Sequence, residues 1–145
     1  MAEQAPLKFV FYIAAPAEKV WEGFVSRESN HAIFNADLEV ELKPGGSMAW
    51  MGAGPDGKRV TYVHGEVVKA DPPKLLQYTF AFGGSEKFSR VTVELTQETE
   101  ATKVVVTHDQ WAEDDAMYAP TTDGWPRILS RLKTLIETGK TFKPH

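Results

Sequence analysis

This 145-residue chain has no cysteine and no long apolar run. Without cysteine it can form no disulfide and no zinc–thiolate site, and it cannot use thiol catalysis. No apolar segment approaches the roughly 20 residues that a membrane-spanning helix requires. Residues 1–6 are short and polar and lack the apolar region of a signal peptide. The sequence therefore predicts a cytoplasmic protein without membrane insertion.

Excess positive charge is also missing, since the formal net charge is -4. A chain of this charge lacks the basic surface that binds nucleic acid or anionic lipid. Its composition, 42% hydrophobic and 25% charged, is typical of one globular domain. No linker, repeat or low-complexity segment divides it. We therefore expect residues 1–145 to form a single domain.

Motifs for metals and nucleotides are weak or absent. The four histidines, His31, His64, His108 and His145, fall at no metal-ligand spacing, so we predict no metal site and no cofactor. Residues 52–57 formally match the glycine pattern of dinucleotide-binding loops. That pattern must open a helix, whereas here a Pro-Asp-Gly turn leads into another strand-like segment. We interpret residues 52–57 as a hairpin tip.

Most of the chain is predicted to be β-strand. Alternating apolar and polar residues, bounded by glycine- and proline-rich turns, indicate strands near 7–13, 38–42, 47–51, 59–69, 75–82, 91–95 and 103–110. Apolar residues at helical spacing predict a helix at 16–26, and a short helix or turn follows at 28–34. Short connections between successive strands imply an antiparallel sheet. The fold class is therefore α+β, with the helices on one face of the sheet.

The long amphipathic helix is near the C-terminus, at residues 124–139. Its apolar face comprises Trp125, Ile128, Leu129, Leu132, Leu135 and Ile136, and its polar face comprises Arg127, Ser130, Arg131, Lys133, Thr134 and Glu137. Gly139 provides a C-cap. Residues 111–123 are predicted to be a loop with at most one helical turn. Pro126 is harmless if the helix begins near 121–123, but would kink it if the helix begins near 115.

Several phrases resemble the START-like (SRPBCC) superfamily, in particular its bacterial branch related to the activator of heat-shock protein 90 ATPase. They are YIAAPAEKVW at 12–21, GEVVKADPP at 65–73 with LQYTF at 76–80, VTHD at 106–109, and GWP at 124–126 followed by LK at 132–133. The resemblance implies the helix-grip fold, in which a curved antiparallel sheet of six to seven strands wraps around a long C-terminal helix. One or two short helices follow the first strand. Residues 29–35 lack the family's tryptophan-rich phrase, and Phe34 takes that place at the pocket entrance.

A curved sheet and a straight helix cannot match everywhere, so a pocket is expected between them. The residues predicted to face it are Phe34, Met48, Trp50, Val63, Tyr78, Phe80, Val91, Val93, His108, Trp125 and Leu129. Such a lining suits a small hydrophobic or amphipathic molecule, such as a lipid, a polyketide or an aromatic compound. The same residues would equally form an ordinary packed core. An exposed edge strand is compatible with a monomer or a weak homodimer.

His108 is the polar residue of greatest interest, because it shares the inward parity of Val104 and Val106. An imidazole there could bind a ligand or transfer a proton. It could also be structural, bonded to a backbone carbonyl, to Asp109 or to a neighbouring loop. Because the sequence identifies no group that would orient a catalytic base, we favour the structural role and a binding protein. The alternatives are a cyclase- or hydrolase-like enzyme using His108 and Tyr78, and a co-chaperone-like interaction module.

Overall fold

The computed structural model describes residues 4–143. It confirms the predicted α+β class and the helix-grip arrangement. The elements in chain order are β1 (Leu7–Ile13), α1 (Ala17–Val25), α2 (Arg27–Phe34), β2 (Asp37–Val40), β3 (Ser47–Ala53), β4 (Arg59–Asp71), β5 (Leu75–Phe82), β6 (Ser89–Gln97), β7 (Thr102–Asp109) and α3 (Tyr118–Thr138).

One seven-stranded antiparallel sheet forms the body of the protein, in the order β1-β7-β6-β5-β4-β3-β2. Strands β2 to β7 pair with their neighbours in sequence, and β1 pairs with β7 to complete the sheet. The register shifts between Trp50 and Met51 and again between Val67 and Lys69. Such bulges bend the strands that carry them, and the sheet curves around the helices. Residues 52–57 form the tip of the β3–β4 hairpin, as predicted.

Helix α2 is short but has defined ends. The hydroxyl oxygen of Ser26 accepts a hydrogen bond from the backbone N–H of Ser29, which is an N-cap. Asn35 ends the helix in the left-handed conformation, with φ of 59°. Arg27 and His31 both bond the carboxylate of Asp37 on β2, at 2.9 and 3.0 Å. These contacts connect α2, at its first residue and in its last turn, which contains Phe34, to the edge strand of the sheet.

Helix α3 begins at Tyr118, so the prediction of a loop up to residue 123 was wrong. The segment 118–123 carries no apolar periodicity, but a proline such as Pro120 is tolerated in a first helical turn. Pro126 consequently lies well inside the helix, which continues through it. Because proline has no N–H, the carbonyl of Thr122 lacks its usual intrahelical partner.

Arg131 was predicted on the polar face of α3 but is buried, with 6% of its surface exposed. Its guanidinium donates to the carbonyl oxygen of Ile33 at 3.1 Å, one of the unpaired carbonyls at the end of α2. The ring of Phe142 lies over the guanidinium, 5.4 Å from its carbon to the ring centroid. The prediction failed because helical periodicity does not show that the C-terminal segment returns over this face.

The two halves of α3 pack differently. In the C-terminal half, a Cβ added to Gly23 of α1 would lie only 2.8 Å from the Cδ1 atoms of both Leu132 and Ile136. Glycine at this point of α1 therefore permits a close approach of the two helices. No comparable contact exists at Gly124 in the N-terminal half, where a Cβ would meet nothing within 4 Å. The larger space beneath α3 thus lies under its first half.

The free edge of β1 is partly covered by α3. The ammonium group of Lys133 donates to the carbonyl oxygen of Tyr12, and the carboxylate of Glu137 accepts from the N–H of Ala14, both at 2.7 Å. A monomer or a weak homodimer remains a prediction. Among residues 4–143, no helix is both long enough and apolar enough to cross a membrane.

Candidate functional site

A cavity of about 220 Å³ lies between the first half of α3, strands β4 and β5, and the end of α2. Its lining residues are Phe34, Val63, Phe80, Phe82, Met117, Pro120, Thr121, Gly124, Trp125 and Ile128. Phe80, Thr121 and Trp125 are buried, whereas Pro120 is exposed and the other side chains are half-buried. The cavity therefore has a closed inner wall and opens towards the solvent near the start of α3.

The cavity wall is almost entirely apolar. No charged side chain contributes to it, and Thr121 is its one side chain with a hydroxyl group. The Thr121 oxygen is covered and has no hydrogen-bond partner within residues 4–143. An apolar wall of this kind stabilises an apolar ligand by removing its surface from water, and disfavours a charged one, which would lose hydration without gaining a partner.

Gly124 lines the cavity without adding a side chain to it. It lies in the interior of the helix, where glycine is less stable than alanine by about 1 kcal/mol. Neither a left-handed backbone nor a close neighbour requires glycine there, because a Cβ would meet nothing within 4 Å. The absence of a side chain at residue 124 therefore costs helix stability and leaves space in the cavity.

The two helical glycines should respond in opposite ways to alanine. Gly124→Ala is expected to raise the free energy of unfolding by about 0.5–1 kcal/mol, because the methyl group enters open space and the unfolded chain loses freedom. Gly23→Ala is expected to lower it by about 1–2 kcal/mol, because Leu132 and Ile136 must move aside. Urea unfolding of both variants measures these changes. Equal destabilisation by the two substitutions would contradict the packing described for α3.

A second, much smaller cavity of about 20 Å³ lies deeper beneath α3. It is lined by Phe24, Asn30, Ile33, Phe34, Trp50, Tyr78, Trp125, Ile128 and Leu132. Phe34, Trp125 and Ile128 line both cavities and form the partition between them. Trp125 thus borders the space rather than filling it.

Asn30 is a site residue that sequence reasoning missed. It is 1% exposed, and its amide N–H groups donate to the backbone carbonyls of Phe24 and Ser26 at 3.0 and 2.8 Å. Its side-chain oxygen accepts from the indole N–H of Trp50 at 2.9 Å. The one available signal was that a buried tryptophan needs an acceptor, but nothing in the sequence assigns that acceptor to α2.

His108 is fully buried at the centre of a hydrogen-bonded chain. The indole N–H of Trp125 donates to Nδ1 of His108 at 3.0 Å. Because an indole can only donate, Nδ1 must be the unprotonated nitrogen, and Nε2–H donates to the Ser89 hydroxyl at 2.6 Å. The Ser89 O–H in turn donates to the carbonyl oxygen of Phe80 at 3.2 Å. Both ring nitrogens therefore have partners within the protein.

This arrangement favours the structural role for His108. Burial lowers the pKa of His108 to about 3, so the ring is neutral near pH 7. Its one lone pair is occupied by Trp125, which leaves no free site for a substrate proton. Asp109, considered as a possible partner, instead forms a two-bond ion pair with Arg90 at 2.7 and 2.9 Å. His108 thus holds the Trp125 ring in place as a wall of the cavity.

The neutral state of His108 should make the fold sensitive to acid. Its pKa is about 3 when folded and 6.5 ordinarily, so the unfolded chain binds the extra proton between these values. The contribution of neutral His108 to the free energy of unfolding is complete above pH 6.5. It falls by up to about 1.4 kcal/mol per pH unit as the pH is lowered towards 3. The carboxyl groups of Asp37, Asp114 and Glu137 also have lowered pKa values when folded. They therefore cause a further loss of stability as the pH falls below their ordinary pKa values of 3.8–4.5.

Denaturant unfolding of the wild type and of His108→Asn between pH 7 and pH 5 measures this dependence. The wild type should lose stability steeply over this range, whereas the variant, which cannot titrate at residue 108, should show a distinctly smaller slope. Parallel curves for the two proteins would contradict a neutral, buried His108.

The structure places six of the predicted site residues at a cavity, one behind the cavity wall and four in the core. Phe34, Val63, Phe80 and Trp125 line the larger cavity, and Trp50 and Tyr78 line the smaller one. His108 contacts the wall through Trp125. The remaining four are buried in the core and line neither cavity: Met48, Val91, Val93 and Leu129. Within residues 4–143, no three histidine or carboxylate side chains are grouped so that they could hold a metal ion.

Comparison with known proteins places this architecture in a family. A family model described as Activator of Hsp90 ATPase homolog 1-like protein matches residues 14–137. The chain belongs to this family. The match begins just after β1 and runs from α1 into the last turn of α3, so it includes both walls of the cavity. No functionally curated protein matches the chain.

Solved structures share the fold at low sequence identity. DynU16, from the dynemicin biosynthetic locus, is 24% identical over 94% of this chain, with a TM-score of 0.76; this chain spans only 48% of DynU16. CalU16 from Micromonospora echinospora is 20% identical, over 92% of this chain and 77% of its own, with a TM-score of 0.72. ChR145 from Cytophaga hutchinsonii is 25% identical, over 96% and 98%, with a TM-score of 0.76. These likenesses support the helix-grip fold.

Proposed function

We propose that the protein binds a small, uncharged, largely apolar molecule in the cavity beneath the first half of α3. Gly124 carries this proposal. A helix-interior glycine without a conformational or packing role lowers stability, and here the place of its missing side chain is open space at an apolar cavity of about 220 Å³. The neighbouring side chains do not fill this space, because the hydrogen bond to His108 holds the Trp125 ring at the cavity wall.

The size and polarity of the cavity limit the class of ligand. Its volume lies between the about 150 Å³ of an engineered cavity that takes benzene and the about 300 Å³ at which drug-sized pockets begin. One or two fused rings, or a short acyl chain, would fill it. A carboxylate or an amine would enter without a charged partner, which is strongly unfavourable. An aromatic compound or a small polyketide fits these limits, and a lipid fits only if its chain is short.

The comparisons are compatible with this proposal. Family membership implies a fold in which sheet and C-terminal helix enclose a pocket, and DynU16 comes from a biosynthetic locus. A small organic ligand agrees with that origin. These structural relatives are identical to this chain at only about one residue in four or fewer, so the class of ligand follows from the chain's own cavity.

Two measurements test the proposal. Gently purified protein is examined by native mass spectrometry and then extracted with organic solvent, which should release a bound small molecule. The same protein, freed of ligand, is titrated with naphthalene and followed by amide NMR. We expect saturable shifts at Thr121 and Gly124 and none at Glu100, in the β6–β7 turn at the opposite end of the sheet from Phe80. Absence of any bound mass, together with no saturable shift from naphthalene or hexanol, would overturn the proposal.

A further inference from the structure

The hydroxyl group of Tyr78 has no role in the hydrogen bonds that hold the cavity wall. Tyr78 lies on β5 with 4% of its surface exposed. Within residues 4–143 its phenol oxygen makes no hydrogen bond, and because it is not among the fully covered polar atoms that lack a partner, part of this oxygen faces open space. Burial raises the pKa of Tyr78, so the hydroxyl keeps its proton and can act as a donor. A phenylalanine would pack in the core as well as the ring of Tyr78 does, so packing does not explain the hydroxyl group.

The small cavity lies beside this residue. Its volume of about 20 Å³ exceeds the about 10–15 Å³ that one water-sized atom needs. Asn30 is the other polar side chain that lines it. Both Asn30 N–H groups are engaged by backbone carbonyls, but its oxygen accepts one bond, from Trp50, and retains a second lone pair. The cavity can therefore accommodate one hydrogen-bonding atom next to a donor and an acceptor.

The partition between the two cavities can yield without breaking a polar contact. Trp125 is fixed by its bond to His108, but Phe34 and Ile128 are half-buried, apolar and held only by packing. Phe34 is the last residue of α2 and directly precedes the left-handed Asn35. Small rotations of these two side chains would join the cavities, at a cost limited to van der Waals contacts.

We propose that the small cavity is the polar end of the ligand site. There Tyr78 forms a hydrogen bond with a single hydroxyl or carbonyl oxygen of a ligand whose apolar body fills the larger cavity. This inference rests on the proposed function and sharpens it: the ligand is an uncharged phenol, aromatic alcohol or ketone rather than a plain hydrocarbon. Tyr78 is then the residue that distinguishes oxygenated from unoxygenated ligands of the same shape.

Thr121 is the competing candidate, because its hydroxyl also lacks a partner and it lines the larger cavity. Its oxygen, however, is itself covered, so a ligand could reach it only after the side chain turned. Tyr78 lies beside a space large enough for an oxygen atom. The two residues can be separated by substitutions that remove only the hydroxyl group.

The test uses two probes of nearly the same shape, naphthalene and 2-naphthol, at neutral pH. Each is titrated by amide NMR into the wild type, Tyr78→Phe, Thr121→Val and the matched control Tyr12→Phe, which removes the hydroxyl of an exposed tyrosine on β1 that lines neither cavity. We expect Tyr78→Phe to weaken 2-naphthol binding by about 3- to 10-fold, the effect of one hydrogen bond, and to change naphthalene binding by less than about twofold. Tyr12→Phe should leave both affinities within about twofold, and Thr121→Val should not weaken 2-naphthol more than naphthalene. Thermal unfolding checks that each variant is folded.

The outcomes separate this inference from the proposed function. If both probes bind the wild type but Tyr78→Phe weakens both equally or neither, the polar subsite is rejected and the apolar site remains. If Thr121→Val alone weakens 2-naphthol selectively, the polar contact belongs to Thr121 and the inference is again wrong. If neither probe binds the wild type, the proposed function fails and the inference fails with it.

Discussion

Gly124→Leu is expected to weaken naphthalene binding at least tenfold, about 1.4 kcal/mol, without unfolding the protein. The new side chain enters the open space next to residue 124 and occupies volume that the ligand needs. Leucine is also a much better helix former than glycine, so the free energy of unfolding should stay the same or rise. Amide NMR titration measures the affinity, and urea unfolding measures the stability.

The control is Thr122→Leu, which adds a similar side chain to the same helix at an exposed residue. It should bind naphthalene with an affinity close to that of the wild type. Gly124→Ala should give an intermediate result, because a methyl group takes little of the cavity. If Gly124→Leu binds as tightly as Thr122→Leu, the ligand does not occupy the space beneath Gly124.

His108→Ala is expected to lower the free energy of unfolding by about 3–5 kcal/mol. The substitution removes a fully buried ring, leaves the Trp125 N–H without its acceptor, and removes the donor to the Ser89 oxygen, whose own O–H keeps its bond to Phe80. It also removes the ring that stacks on Trp111, 4.2 Å between centroids. Since the Trp125 wall would then be free to move, naphthalene affinity should fall as well. Urea unfolding and the NMR titration measure the two effects.

Two further variants separate the hydrogen bonds from the loss of volume. Ser89→Ala and Trp125→Phe each remove one bond to the imidazole and should each cost less than His108→Ala. Combined with His108→Ala in double-mutant cycles, they should show coupling of about 0.5–3 kcal/mol. A His108→Ala protein of wild-type stability would contradict the structural role and return His108 to consideration as a catalytic group.

Much of the fold could be read from local pattern. The bounds of β1 and β5 were predicted correctly, because side chains of higher and lower burial alternate throughout β1 and along β5 as far as Phe80. The hairpin tip at 52–57 was correct because turn residues act locally. Family phrases spread along the chain added the helix-grip arrangement, which residue periodicity by itself does not specify.

The candidate site was predicted only in outline. Inward parity correctly selected Trp50, Val63, Tyr78 and Phe80 as facing the helices. The same parity applies to Val91 and Val93, which pack in the core. Parity tells which face of the sheet a residue occupies, but it cannot tell where the opposite helix leaves a gap. That gap depends on Gly124, whose missing side chain carries no hydrophobic signal.

The sequence by itself therefore determined the class of the protein, its antiparallel sheet and the apolar character of the space beneath α3. Only the tertiary structure decided how that space is divided. It joined His108 to Trp125 and Ser89 and gave Trp50 its acceptor in Asn30, and within residues 4–143 it left the Tyr78 hydroxyl without a hydrogen bond beside a small cavity. The physical reason is that periodicity shows only which residues of one helix or strand share a face. Hydrogen-bond partners and cavities arise between elements that are distant in the chain.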